Sequence, residues 1–263
     1  DEAHRCVKNY DYNFIAKRYY SQAKHKRIIG MTASPGNNIK KIKQICNNLF
    51  IEEVELRTRE SEDVKKYLQK LEFEKVKVTF PAEFEEMKHV LLKLFNRYVE
   101  ELRKRKVLFG PANKGSLIKL QKKIIGTISR GNKNYNYMMG ASACAQAIKL
   151  QHALGLLETQ TLQAFNKYLK KLFKEASIKK SKGVVKLVAQ PEFNYIFMTS
   201  NELLAKEKEH PKVDELIKRI QREKNQNKNL RTIVFTQFRD TASHISKKIN
   251  QLKEINAKVF VGQ

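Results

Sequence analysis

Apolar residues recur every three or four positions through the middle of the chain. Phe84, Met87, Leu91, Leu94 and Tyr98 fall on one face of a helix running to about Val107. Gly110-Pro111 breaks that pattern. Leu117, Leu120, Ile124 and Ile128 predict a second helix, ended by Gly131-Asn132. Met138, Ala141, Ala145, Ile148 and His152 predict a third, whose small residues permit close approach and place it at the centre of a bundle. Leu162, Phe165, Leu169, Leu172 and Phe173 predict a fourth. Lys179 to Gly183 reads as a mobile basic loop, and Val184 to Ala205 as one or two helices interrupted near Pro191.

The ends of the chain have a different texture. Arg27 to Met31 reads as a buried strand running into the turn Thr32-Ala33-Ser34-Pro35-Gly36, after which Asn38 opens a helix carrying Ile39, Ile42, Ile45 and Leu49. Val54 with Leu56, and Phe73, Val76, Val78 and Phe80, alternate as half-buried strands do. Beyond His210, Pro211 suits the first turn of a helix with Val213, Leu216, Ile217 and Ile220 inward. Thr232–Thr236 and Lys258–Gly262 read as strands either side of a helix over Thr241–Leu252. Strand–helix alternation argues for parallel α/β structure at both ends, so the expected class is mainly α with α/β ends. The expected divisions are residues 1–80, 81–209 and 210–263.

Charge then changes the picture. The 263 residues hold 53 Lys+Arg against 27 Asp+Glu, a net +26, which points to a polyanionic partner. From Leu102 to Leu157 no acid occurs, and from Glu101 to Gly183 18 basic residues face three acids. A merely solvated helix face mixes signs; a one-signed field of this size attracts phosphates. The expected contacts are Arg103, Lys104, Arg105 and Lys106 as one wall of a duplex-binding surface, Lys119, Lys122 and Lys123 as a second, and Lys167, Lys170, Lys171 and Lys174 as a third. Tyr135 and Tyr137 are candidates for stacking on bases, at least one of them being expected in the core. Hydrophobic residues at 41% suffice for a core. No apolar run approaches 18 residues, and no basic-then-apolar leader stands at Asp1-Glu2. Cys6, Cys46 and Cys144 are odd in number and far apart, and the six histidines never pair at ligand spacing, so neither a disulfide framework nor a zinc site is expected. A reducing interior fits best: cytoplasmic in a prokaryote, nuclear in a eukaryote.

The sharpest chemistry lies in Asp1-Glu2-Ala3-His4. An Asp beside a Glu is the pair a nucleoside triphosphatase uses, one carboxylate on magnesium and the other on the attacking water. Thr32-Ala33-Ser34-Pro35 follows 28 residues beyond His4. Two hydroxyls in a tight turn suit a sensor coupled to the acidic motif, although Ser/Thr before Pro also caps helices.

These residues resemble a known family. Asp1-Glu2-Ala3-His4-Arg5 with Asn9-Tyr10, then Ile29-Gly30-Met31-Thr32-Ala33-Ser34-Pro35-Gly36, resemble superfamily 2 helicases of the archaeal Hef and Fanconi-anaemia M (FANCM) group. So do Leu150-Gln151-His152-Ala153-Leu154, His210-Pro211-Lys212-Val213-Asp214, Ile233-Val234-Phe235-Thr236-Gln237-Phe238-Arg239-Asp240 and Phe260-Val261-Gly262-Gln263. The resemblance covers essentially the whole chain and implies a basic, thumb-like helical insertion between incomplete pieces of two RecA-like domains.

It further implies that Asp1 binds magnesium, Glu2 is the catalytic base and His4 couples ATP state to domain motion. Thr32, Ala33 and Ser34 would form the coupling motif, and Thr236, Gln237 and Arg239 would approach the nucleic-acid backbone. ATP and Mg2+ are the implied cofactors of the complete protein, with none expected on this chain alone. No G-x-G-K-T phosphate loop and no Q-x-x-x-R-x-G-R motif is present, so the expectation is a segment of a larger helicase that does not hydrolyse ATP usefully by itself. The implied partner is double-stranded or branched DNA, with no membrane. Two alternatives stay open: a RIG-I-like or Dicer-type double-stranded RNA helicase, and a non-catalytic basic scaffold. Ala3 and Pro35 favour the Hef spelling.

Overall fold

The computed structural model describes residues 1–69, 71–131, 135–179, 181–252 and 254–260. Contacts divide the chain into two compact units, Asp1–Glu74 and Lys75–Gln263.

The first unit contains a 3-10 turn at Ala3–Arg5 and helices α1 (Asp11–Gln22), α2 (Ile39–Leu49) and α3 (Glu62–Lys65). Ala3, Cys6, Ala16, Ile45 and Leu49 form its core. Asn38 starts α2 as expected, its side chain accepting from the Lys41 N–H at 3.3 Å. Helix α1 has little periodic signal, because only Asn13 and Ala16 are buried while Phe14 and Ile15 face outward.

The expected strands are not found. Arg27–Met31, Val54–Leu56, Phe73–Phe80, Thr232–Thr236 and the described part of Lys258–Gly262 hold no strand; Val261, Gly262 and Gln263 lie outside the described residues. Ala3 N–H donates to the Met31 carbonyl at 2.9 Å, one cross-segment bond rather than a ladder. Alternating β-branched residues make a segment fit for a pleated surface, but a strand exists only where a neighbour shares its backbone bonds. Here Ile29 is 85% exposed, Phe235 91% and Phe260 99%. Among the described residues the chain is therefore helical, with extended segments in place of sheet.

The second unit is built on six helices: α4 (Ala82–Lys104), α5 (Lys114–Ser129), α6 (Tyr135–Thr159), α7 (Leu162–Ser177), α8 (Lys182–Val188) and α9 (Pro191–Ala205). Asn132, which the sequence pattern makes the end of the second helix, lies outside the described residues; α5 itself stops at Ser129. Helix α6 is the centre, packing on α4, α5, α7 and α8. Its alanines Ala143, Ala147 and Ala153 are buried, and a Cβ added at Gly140 would lie 3.3 Å from Val107. The expected stripe of α4 is buried, with Leu91, Leu94 and Leu102 fully covered; each such leucine contributes on the order of 1.5–3 kcal/mol. Asn166 of α7 ties the bundle to α9, donating to Ser200 Oγ at 2.8 Å and to Asn201 Oδ1 at 3.0 Å. The loop expected over Lys179–Gly183 is shorter than the sequence suggests. Gly183, Val184 and Leu187 are buried, and that apolar face draws the chain into α8 from Lys182.

Two more helices, α10 (Pro211–Gln226) and α11 (Arg239–Ile249), share a separate small core of Val213, Ile220, Ile245 and Ile249. His210 fixes the start of α10. Its Nε2–H donates to the Leu157 carbonyl at 3.0 Å, and its Nδ1 accepts from the Lys212 N–H at 3.2 Å. Phe80 and Phe84 present ring contacts to it at 5.5 and 5.7 Å. Both contacts of the ring nitrogens require the neutral tautomer. Burial pushes the pKa of His210 down to about 4, against the opposing pull of the Leu157 carbonyl.

A base whose folded pKa lies below its ordinary value is protonated more readily when unfolded. The stability it supports is therefore whole above about pH 6.5 and is lost as pH falls toward 4, by on the order of 3 kcal/mol. Denaturant titrations at pH 7.5 and 4.5 check this: the unaltered chain is expected to lose more stability between them than His210→Phe, which keeps the ring contacts but binds no proton.

Candidate functional site

In the first unit the acidic motif and the two-hydroxyl turn meet. The buried Ala3 holds the 3-10 turn against Met31, and Gly30 makes that approach possible: a Cβ there would stand 3.2 Å from the Ala3 Cβ and 3.5 Å from Leu49. Glu2 adopts a left-handed conformation (φ 53°, ψ 40°), costly for a residue with a side chain, and its N–H donates to Asp1 Oδ1 at 2.8 Å. His4 Nδ1 lies 3.0 Å from Glu2 Oε2 and 2.9 Å from Thr32 Oγ1. Thr32 Oγ1 in turn accepts the Ser34 N–H at 3.1 Å. A set of polar contacts centred on His4 Nδ1 therefore joins the Glu2 carboxylate to Thr32, and Thr32 to Ser34. Ala33 is exposed beside it, and Asp1 presents its carboxylate to solvent.

In the second unit the basic side chains divide. Arg103 and Arg105 pair along their own helix with Glu100 and Glu101, both at 2.9 Å, so the first expected wall is partly neutralised from within; Lys104 and Lys106 are exposed. The Arg105 guanidinium also lies 5.8 Å from the ring centre of Tyr135, which is 68% exposed, while Tyr137 packs against the core. Lys119, Lys122 and Lys123 are exposed on α5, and Lys167, Lys170, Lys171 and Lys174 on α7. Lys167 Nζ bonds Asp240 Oδ2 at 2.7 Å.

Lys114 and Lys149 are sites that the three-wall reading leaves out. His152 of α6 packs edge-on against Tyr168 at 4.7 Å and against Phe238 at 6.4 Å. Burial lowers its pKa, and Lys114, Lys171 and Lys149, from three different helices, lower it further. Of these, Lys149 lies beside His152 on α6, three residues before it. Lys149 is held there by Glu175 at 3.3 Å. The fourth-motif residues Thr236, Gln237 and Arg239 flank Phe238, and Thr236 Oγ1 donates to the Phe238 carbonyl at 3.2 Å. The absence of acids from Leu102 to Leu157 is the signal that could have found Lys114 and Lys149. Among the described residues no cluster of His, Cys, Asp and Glu forms a metal cage, and no helix is long and apolar enough to cross a membrane.

The chain is similar to several known proteins. Residues 83–209 match a family described as putative ATP-dependent RNA helicase, helical bundle. The chain is 33% identical over 268 residues to a putative ATP-dependent RNA helicase of Methanocaldococcus jannaschii, covering all of this chain and 32% of that protein. It is 26% identical over 282 residues to the ATP-dependent DNA helicase MPH1 of Debaryomyces hansenii, covering all of this chain and 25% of that protein. It superimposes on the crystal structure of the Pyrococcus furiosus Hef helicase domain with a TM-score of 0.75 at 34% identity, covering all of this chain and 55% of that one. The chain thus spans a third or less of the length of these two sequence relatives.

Because the relay depends on the close approach at Gly30, Gly30→Val is expected to cost on the order of 1–3 kcal/mol, while Gly36→Ala, at a glycine with open space around it but a φ of +85°, acts only through its backbone. Denaturant unfolding of the two variants checks the size. The chemical shift of the His4 ring should move in Gly30→Val and stay in place in Gly36→Ala.

Proposed function

Since the chain belongs to the Hef/FANCM type of superfamily 2 helicases, we propose that it is the part of an ATP-dependent DNA helicase or translocase that joins the acidic catalytic motif to a duplex-gripping insertion. On this reading residues 1–80 and 210–263 belong to two RecA-like lobes, and residues 81–209 form the insertion. The exposed extended segments around Ile29 and Phe235 are then edges awaiting the rest of each sheet.

The observation that carries the reading is the Glu2–His4–Thr32–Ser34 relay. A catalytic carboxylate must sense whether nucleic acid is bound, and a chain of short polar contacts to a hydroxyl turn supplies a physical link. Glu2 would accept a proton from the attacking water, and His4 would hold the carboxylate's orientation as Thr32 shifts. The donor set suits magnesium: Asp1 offers a hard carboxylate oxygen to solvent, and such an ion takes one or two protein carboxylates with the rest of its shell from phosphate and water. That ion would neutralise charge on the transferring phosphate.

Relatives named DNA helicases, in Debaryomyces hansenii and Drosophila melanogaster, support a DNA substrate. The lysine-rich character of the insertion suits recognition of the phosphate backbone by shape rather than by sequence. Forked DNA is the substrate proposed. The name of the Methanocaldococcus jannaschii relative gives the RNA alternative its support.

Two measurements test this. Fluorescence anisotropy of the chain with forked DNA should give affinity falling steeply with salt, with a log–log slope of about −0.9 per phosphate neutralised; duplex RNA competing better than forked DNA would transfer the assignment to RNA. In the longer protein that includes a phosphate loop, Glu2→Gln should cut DNA-stimulated ATP hydrolysis by about 100-fold or more. Thr32→Val should reduce the stimulation by DNA more than the basal rate.

A further inference from the structure

Within the second unit, α11 and the start of α7 are joined by polar contacts in matched register. Thr241 Oγ1 donates to Gln160 Oε1 at 2.6 Å, in a buried position. His244 Nδ1 meets Gln163 Oε1 at 2.6 Å, and its Nε2 pairs with Glu209. Lys167 pairs with Asp240. Asp240 and His244, one turn apart on α11, meet Lys167 and Gln163, one turn apart on α7, while Gln160 lies just before α7. The contact is polar rather than a shared core, since the apolar clusters of the bundle and of α10–α11 are distinct. Glu209 is held ionised there: burial alone would raise its pKa, but bonds from His244 and from the His210 N–H bring it below the ordinary value.

This zipper has a consequence for the segment before it. Helix α11 begins at Arg239, directly after Thr236 and Gln237, so fixing its first turn fixes them too. Phe238, between Gln237 and Arg239, rests edge-on against His152, whose ring also meets Tyr168 of α7. Lys171 stands one turn beyond Lys167, whose pair with Asp240 sets the start of α11 against α7, so exposed Arg239 is held beside the lysine row of α7. Cations drawn from α7 and the first turn of α11 are complementary to a phosphate backbone.

We propose that Arg239 with Lys171 forms one composite phosphate-binding surface, and that the Gln160/Gln163/Lys167–Thr241/His244/Asp240 zipper is the positioning element that makes it one surface rather than two. This rests on the duplex-binding reading above and adds which groups act together. Linking two weak sets of phosphate contacts in fixed register raises affinity beyond either set, and the gain disappears when the register is lost.

The test is a double-mutant cycle read by anisotropy with duplex DNA. Arg239→Gln is expected to weaken binding by about tenfold in the unaltered chain and to lower the salt slope by about 0.9. Thr241→Val/His244→Ala removes no phosphate-binding group, yet is expected to weaken binding by about tenfold. In that background Arg239→Gln should cost less than twofold. Equal cost of Arg239→Gln in both backgrounds, no cost in the unaltered chain, or unchanged binding by the zipper variant overturns the proposal. Hydrogen exchange on the unaltered chain gives an arm free of folding effects. Duplex should protect residues 237–245 and 162–171 over the same concentration range, and protection of 162–171 alone overturns the composite surface. Absence of any salt-dependent binding by the unaltered chain overturns the duplex-binding reading itself, and this one with it.

Discussion

Helix α6 leaves its neighbours one way to arrange their charges. From Met139 to Glu158 every residue is buried or half-buried, and the helix is rich in alanine, with Gly140 at the point of closest approach. A helix apolar on all sides must be covered on all sides. Helices α4, α5 and α7 turn their apolar stripes inward, to α6 and in α4 and α7 also to α9, which leaves most of their long basic side chains at the surface. The cationic surface is thus a by-product of how the core is satisfied. The cost is self-repulsion among like charges, which a polyanion relieves. Local acids offset part of it: Glu100 and Glu101 on Arg103 and Arg105, Glu175 on Lys149, and Asp240 on Lys167. The exposed pairs among them, Arg103–Glu100 and Lys167–Asp240, contribute little to stability.

The first unit works by a different economy. Its five-residue core is small, and what it secures is the placement of Ala3 against Gly30 and Met31. That placement sets the His4 ring between a carboxylate and a hydroxyl. The left-handed backbone at Glu2 is the strained step in this arrangement, tolerated because the flanking turn is anchored. In the second unit the same logic appears at His210, where a buried neutral imidazole ends α6 and caps α10 with two hydrogen bonds. Both histidines act as connectors between segments distant in sequence.

Much of the helical bundle was legible from the chain. The stripes of α4, α5 and α7, the cap at Asn38, the break near Pro191 and the proline start at Pro211 are local signals, because a helix closes its hydrogen bonds within four residues; on α6 the expected positions Met138, Ala141, Ala145, Ile148 and His152 are exposed or half-buried, and the covered face carries Ala143, Ala147, Leu150 and Leu154 instead. Helix α1 was not legible, since its exposed aromatics hide the stripe, whereas α8 and α9 follow the expected break near Pro191, with α8 starting at Lys182 rather than Val184. The expected strands failed for the opposite reason. Local alternation describes a surface suited to a sheet, and the described residues supply no ladder to complete it.

The spelling of the motifs was enough to point to the family, and the excess of lysine to a polyanionic partner, because chemistry of that kind resides in residue type and spacing. Sequence could pair Asp1-Glu2-Ala3-His4 with Thr32-Ala33-Ser34 as motifs. Only the tertiary structure showed that His4 touches both Glu2 and Thr32. Likewise the sequence counted lysines by helix, whereas folding decided that Phe238 packs on His152 and that α11 is tied to α7 through Lys167–Asp240 and Gln163–His244. These are contacts between residues tens of positions apart. They depend on the packing of several helices at once, and no local periodicity encodes which exposed faces will end up side by side.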